Sequence, residues 1–164
     1  MKIVNKGSIL LVFLLITGLV HTTRAQQFEK SSFYKVMDTG DLAAINAQIE
    51  IVKSSSQKYK DGYEGALLMR KADKLAVPLQ KLKYFKQGRI KFETALMADP
   101  DNTEYHFLRL AIEEHAPKIV KYHSDIEKDK AIVKKNFKDQ SQSVQHAILD
   151  YCKSSKVLHA EDLQ

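Results

Sequence analysis

Apolar residues in this chain recur every three or four positions, and no stretch beyond residue 25 alternates as a strand buried on one face would. That spacing commits the backbone to helices. Leu42, Ile45, Ile49 and Val52 predict one over 41–53, with Asp41 as cap or dipole partner, and Phe33, Tyr34, Val36 and Met37 predict a shorter one before it. The polar run SSSQKYKDG at 54–62 ends in glycine and predicts a loop. The pattern resumes at Tyr63 through Ala66, Leu67, Leu75, Ala76 and Leu79. Pro78 suits a first turn and not an interior, so the reading breaks near 76 and starts a new helix at about 77, ending near Ala98. Leu82, Phe85, Gly88, Phe92, Ala95 and Leu96 form its expected inner face, with Gly88 and Ala95 small enough to admit a second helix closely.

Asp99-Pro100-Asp101 stops that helix, and Asp101 with Glu104 three residues on has the spacing of a capping box. Tyr105, Leu108, Ala111, Ile112 and Ile119 give the next buried stripe, which Pro117 ends or kinks. Ser124 with Glu127 repeats the capping signature and opens a helix to Phe137, with Ile126, Val133 and Phe137 inward. A last helix covers 142–157 through Val144, Ala147, Ile148, Tyr151 and Cys152. The expected fold is all-α, six or seven helices in antiparallel hairpins, one domain over 26–164. Six Gly and three Pro supply too few turns for a sandwich or barrel. An apolar share of 44% with 28% charged residues excludes a disordered tail, a collagen-like fibre and a multi-span membrane protein.

Residues 1–25 read as a signal peptide rather than as fold. Lys2 and Lys6 make a basic start, Ile9 to Val20 is an uncharged apolar run, and Thr-Arg-Ala at 23–25 suits signal peptidase. As a helix the run reaches only ~18 Å, short of the ~30 Å hydrocarbon core, so a membrane anchor is the poorer reading. The mature chain is expected to start at Gln26, in the periplasm or outside the cell, with no transmembrane anchor. Without Lys2, Lys6 and Arg24 the balance of 26 cations against 20 acids falls to 23 against 20, a net +3. With acids interleaved, as in DIEKDK at 125–130, this is a matter of solubility and not a nucleic-acid footprint. The cluster Lys134, Lys135 and Lys138 is read as a solvated helix face.

The stretch from about 69 to 102, ending GRIKFETALMADPDN, resembles a tetratricopeptide (TPR) repeat. Gly88, Phe92, Ala95 and Pro100 stand at the small, aromatic, small and proline positions of the second helix and closing turn. Ala72, Leu75, Ala76 and Leu79 fit the first helix. The helix from 103 would open a second, incomplete unit with Tyr105, Leu108 and Ile112 in packing positions. Pro78 inside the first helix, Arg109 at a place usually given to a small residue, and the loss of pattern after Pro117 depart from the repeat. With its export signal, YFKQGRIKFETAL, DPDNTEYHFLRLAI and HSDIEKDKA, the chain is also similar to a group of small exported TPR-like proteins of Gram-negative bacteria. The resemblance implies a TPR-like short solenoid and a protein or peptide partner.

Motifs for chemistry are sparse. Cys152 is the only cysteine, which excludes an intramolecular disulfide and a Cys-based zinc site, and its helical stripe predicts a buried, inert thiol. His106, His115, His123, His146 and His159 are not spaced at i+3 or i+4 from one another, and His123 with Glu127 has a ligand-like helical spacing. Asp99-x-Asp101-x-Thr103 has the start of a calcium loop, but Pro100 intrudes, the sixth position is Glu104 and the twelfth is Leu110, so an inter-helix turn is expected. No GxSxG or phosphate loop occurs. The remaining candidate is the polar line His106, Arg109 and Glu113, at i, i+3 and i+7 and on a different side from Leu108 and Ile112. On the TPR reading, this line would face a groove and contact a protein or peptide. Its alternative is a solvated face with an Arg109–Glu113 pair contributing ~0.2–0.5 kcal/mol. The expected function is an exported interaction scaffold without catalysis, cofactor or metal. A structural envelope component cannot be told from it by sequence, and the rival is a hydrolase or metal-dependent enzyme with a site assembled from distant residues.

Overall fold

The computed structural model describes residues 27–56, 58 and 60–163, so the signal-peptide expectation lies outside the described residues. Among the described residues seven α-helices follow in order: α1 Lys30–Thr39, α2 Leu42–Ser54, α3 Lys60–Lys74, α4 Pro78–Ala98, α5 Thr103–His115, α6 Ile126–Asn136 and α7 Gln142–Cys152. Short 3₁₀ turns occupy Lys118–Val120, Phe137–Asp139 and Ala160–Leu163, and no strand occurs among the described residues. The chain is all-α, as the periodicity requires.

Several boundaries follow the local chemistry read from the sequence. Asp41 caps α2, its carboxylate accepting from the Ala44 amide at 2.7 Å. Pro78 is the first residue of α4, where its missing N–H leaves no intrahelical bond unmade. Others moved. The polar linker is shorter than expected, since α3 already begins at Lys60 and Gly62 lies inside it. A Cβ at Gly62 would fall 2.4 Å from the Tyr105 ring, so here the glycine makes room for a side chain instead of marking a loop. The cap of α5 is Asn102, not Asp101; its side-chain oxygen accepts from the Tyr105 amide at 3.1 Å. The Ser124 hydroxyl donates to Asp125 rather than to a helix-terminal amide, and α6 starts at Ile126. Helix α7 stops at Cys152, after which the Ser155 hydroxyl accepts from the Val157 and Leu158 amides and turns the chain.

The α3–α4 hairpin is the most extensive contact among the described elements, and α2 packs against α3 as α5 does against α6. Close approach at the hairpin rests on two glycines. A Cβ at Gly88 would sit 2.6 Å from the Gly65 carbonyl oxygen and 2.8 Å from the Met69 amide, and a Cβ at Gly65 would meet the Gly88 carbonyl at 2.7 Å. Phe85, Gly88, Phe92, Ala95 and Leu96 face this contact, but Leu82, expected with them, is exposed. Leu75, Ala76 and Leu79 do not belong to the first helix of the pair either. α3 ends at Lys74, and Leu79 stands in the exposed first turn of α4.

Elements distant in sequence close the molecule. α1 packs on α7, so the first and last described helices lie together, and α5 touches α3 and α7. An aromatic chain threads the inside: Phe28 meets Tyr63 at 4.9 Å, Tyr63 meets Tyr105 at 5.7 Å, and Phe107 meets Tyr151 at 5.6 Å. Contacts of this kind add ~0.5–1.5 kcal/mol each beyond area burial. The apolar core they belong to is continuous from Phe28 to Leu163. Ile119, expected in the buried stripe, instead projects from the 3₁₀ turn behind Pro117.

Candidate functional site

Helix α5 is buried at every residue from Thr103 to Leu110. With α3, α6 and α7 packed around it, this stretch has no side left to turn to water. The candidate line is therefore internal: His106, Arg109 and Glu113 are none of them more than 5% exposed. The expectation of a surface line open to a peptide is corrected on this point. A helix enclosed by neighbours must bury its polar residues too, and buried charge persists only when paired.

The pairing centres on Asp129 of α6, itself fully buried. Arg109 grips its carboxylate with two prongs, Nε at 2.7 Å and Nη2 at 2.8 Å, while the His106 Nδ1 lies 2.6 Å from Oδ1. The other His106 nitrogen lies 2.8 Å from the Pro100 carbonyl oxygen, so both ring nitrogens are engaged. Arg109 reaches two further acids, Glu93 on α4 at 3.2 Å and Asp125 at 3.3 Å. Tyr122 donates its hydroxyl to Glu93. Glu113 is not in an ion pair with Arg109. Its Oε2 accepts from the Asp125 amide at 3.0 Å, and its Oε1 is buried with no hydrogen-bond partner.

The titration behaviour follows from this crowding. Burial works against the Arg109 charge, but the hydrogen bonds and charge of Asp129, with Glu93 and Asp125 behind it, outweigh that and hold the guanidinium more firmly protonated. Burial first, and the charges of Asp125 and Asp129 next, push the Glu113 carboxyl above its usual range, against the Asp125 amide and Arg109. Burial and Glu93 likewise push the Tyr122 phenol up. Chemically, the cluster is a clamp. It fastens α4, α5, the 116–125 segment and α6 to one another.

The remaining sequence candidates are also structural. Among the described residues no group of three His, Cys, Asp or Glu side chains is placed to hold a metal ion. His123 turns to the Ala116 carbonyl at 2.8 Å and not to Glu127. Asp99 accepts from the Asn102 side chain at 2.9 Å within the turn between α4 and α5. Cys152 is buried, and burial, with Asp162 and Glu161 adding to it, pushes its thiol up to about 11, which leaves little thiolate for nucleophilic work. Lys134 is tied to Asp162 at 2.9 Å.

One surface feature was not legible as such. Leu79, Leu82, Ile90 and Met97 lie within ~80° on the side of α4 away from α3, each between 56% and 79% exposed. The signal existed in the spacing, because Leu82 is three residues from Phe85 but lies ~90° from the centre of the face shared by Phe85, Gly88, Phe92 and Ala95. Asp129 gave no signal at all; within DIEKDK it reads like any solvated acid. No described helix is long and apolar enough to cross a membrane. Compared with protein families, with curated proteins and with solved structures, the chain matches none.

Proposed function

We propose that this chain is an exported helical scaffold that binds a protein partner and carries out no catalysis, the α3–α4 hairpin serving as its TPR-like unit. The observation that carries the reading is the outward side of α4, where four large apolar side chains stand in water on one face of a 21-residue helix. Isolated exposed apolar residues are common, but an aligned set on one element is what interaction surfaces have. The interior supports the same reading, since Arg109 is spent on Asp129 and Glu93 and so fixes the helix that presents the face.

A photo-reactive residue in place of Leu82, activated in the intact cell envelope, tests this. The scaffold reading expects a discrete covalent adduct with protein, lost when the photo-reactive residue is moved to Lys135 on α6. Absence of any adduct, together with a stoichiometric transition metal that survives dialysis of the purified chain, overturns it in favour of a metal-dependent enzyme. Amino-terminal sequencing checks the export half of the proposal, with Gln26 expected first.

A further inference from the structure

We infer that the partner seated on the outward face of α4 presents an acidic helix, one whose apolar stripe is interrupted by a carboxylate set against Lys86; this rests on the scaffold reading and names the chemistry of its occupant. Around α4, at ~100° per residue, Leu82, Lys86, Leu79, Met97 and Ile90 follow one another within ~80°, so Lys86 stands inside the apolar stripe and not beside it. It also lies near the middle of the stripe's length, one turn from Leu82 on one side and one turn from Ile90 on the other. Nothing on its own helix answers its charge. The positions three and four residues away, where a helical lysine finds a partner, are Leu82, Lys83, Arg89 and Ile90. For Lys83 they are Leu79, Gln80, Lys86 and Gln87. From Pro78 to Phe92 the helix carries five cations and no acid. Three of the five are occupied: Lys91 by Asp61 and Glu64, Lys81 by the Asp73 carbonyl at 3.4 Å, and Arg89 by the Tyr122 ring at 4.8 Å. Lys83 and Lys86 are left exposed, with no ion pair among the described residues. Glu93, the next acid along α4, already accepts from Arg109 and Tyr122.

Two features of the face decide between occupants. A lysine in the line of deepest contact is poorly placed for a lipid surface, where cations serve on the flanks and reach out to the headgroups. A protein can meet it where it stands, with a carboxylate. The stripe is also a seam and not a broad apolar face, being narrower than the ~100° or more that a helix buries against a core. Leu79, Leu82, Lys86, Ile90, Glu93 and Met97 follow at steps of three and four, the spacing by which one helix packs along another. A polar residue in such a seam selects the partner and its register. From Leu79 to Met97 the seam is about 27 Å long, which a helix of about 18 residues spans. That helix needs apolar side chains opposite Leu82 and Ile90, Asp or Glu between them, and a further acid on the side of Lys83. A basic or uncharged helix would bury the Lys86 ammonium without a counter-charge. A second copy of α4 offers no free acid for it, since Glu93 is taken.

The test reads the photo-reactive residue at Leu82, activated in the intact cell envelope, in four further backgrounds. The yield of the protein adduct should fall at least about tenfold with Lys86→Glu and with Lys86→Met, hold with Lys86→Arg, and not respond to Lys135→Glu on α6. Both lysines are exposed, so the melting temperature of each variant should match that of the parent. The cross-linked peptide of the partner should carry Asp or Glu within one helical turn of its attachment point. A protein adduct indifferent to Lys86→Glu, or strengthened by Lys86→Met, overturns the inference and leaves the scaffold reading standing with an apolar partner. A lipid adduct, or sedimentation of the purified chain with vesicles of phosphatidylcholine and phosphatidylglycerol, overturns it in favour of a membrane surface. An adduct of twice the mass of one chain overturns it in favour of a second copy. Absence of any adduct overturns it too, and overturns the scaffold reading as well only where a bound transition metal accompanies it.

Discussion

Helices α4 and α5 are neighbours in the chain and opposites in environment. α4 buries one stripe, built from small and aromatic residues around Gly88, and turns leucine, isoleucine and methionine outward. α5 is enclosed, and carries a histidine, an arginine and two glutamates into the interior with it. The polar residues lie inside and a good part of the large apolar ones outside. Hydrophobicity alone does not place a side chain; the number of elements that surround its helix does. A helix covered on one side can choose which face to bury, whereas a helix covered all round has no choice and must pair what it brings.

Breaking the clamp around α5 should produce the largest effect. Asp129→Ala leaves the Arg109 guanidinium buried without its two-pronged partner and His106 without its hydrogen-bond partner, and removing one partner of such a set typically costs ~3–5 kcal/mol. Urea unfolding should show it, and an unchanged midpoint would mean that the cluster is wet. Replacing Arg109 by Met and Asp129 by Leu together should recover part of that loss. The cost of a buried pair lies mainly in leaving one charge alone, so the double variant separates that from the net value of the pair.

The inner face of α4 should come next. Gly88→Leu forces atoms into the Gly65 backbone and Met69, and overpacking of that kind costs ~1–3 kcal/mol. Thermal unfolding by circular dichroism measures it; melting at the wild-type temperature would mean that the two helices can part without loss. Gly65→Leu should behave alike, since each glycine faces the other's carbonyl.

A third expectation concerns sign as well as size. A carboxyl whose folded-state pKa is raised, as burial and the nearby acids raise that of Glu113, binds its proton more tightly in the folded chain. Stability therefore falls as the pH rises from its ordinary 4.5 through the raised folded value, and is fully restored only below 4.5. Glu113→Gln keeps the acceptor for the Asp125 amide, removes the charge and supplies donors where Oε1 has no partner. It should melt above wild type at neutral pH by on the order of 1 kcal/mol, with the difference closing below pH ~4.5. A variant less stable than wild type at neutral pH would show that the ionised carboxylate is needed. The outer face of α4 should give the smallest change in the fold. Met97→Lys should alter stability by no more than ~0.5 kcal/mol, so a larger loss would mean that Met97 packs internally.

Much of the fold was readable because helices are short-range objects. The three-and-four spacing, Asp41 at a start and Pro78 at a first turn act within a few residues of themselves, and the structure keeps them. Gly88 was legible as a point of close approach for the same reason: a missing side chain matters wherever a second helix crosses. The errors lie where a distant partner decides. Gly62 looked like a loop ending until Tyr105 occupied its space, and Leu82 looked like core until α3 covered only the face next to it.

The candidate line shows the limit most clearly. Its spacing put His106, Arg109 and Glu113 on one side of a helix, which is a local fact. Whether that side met water or protein depended on Asp129, twenty residues beyond Arg109, and on α6 bringing it within 2.7 Å. By itself the sequence determined the helices, their order and most of their ends, because hydrogen bonds and side-chain geometry within a turn or two settle these. Which faces are covered, which charges are buried, and hence where a partner can reach, were decided only by tertiary packing, since burial is a property of every neighbour a residue has and not of the residue itself.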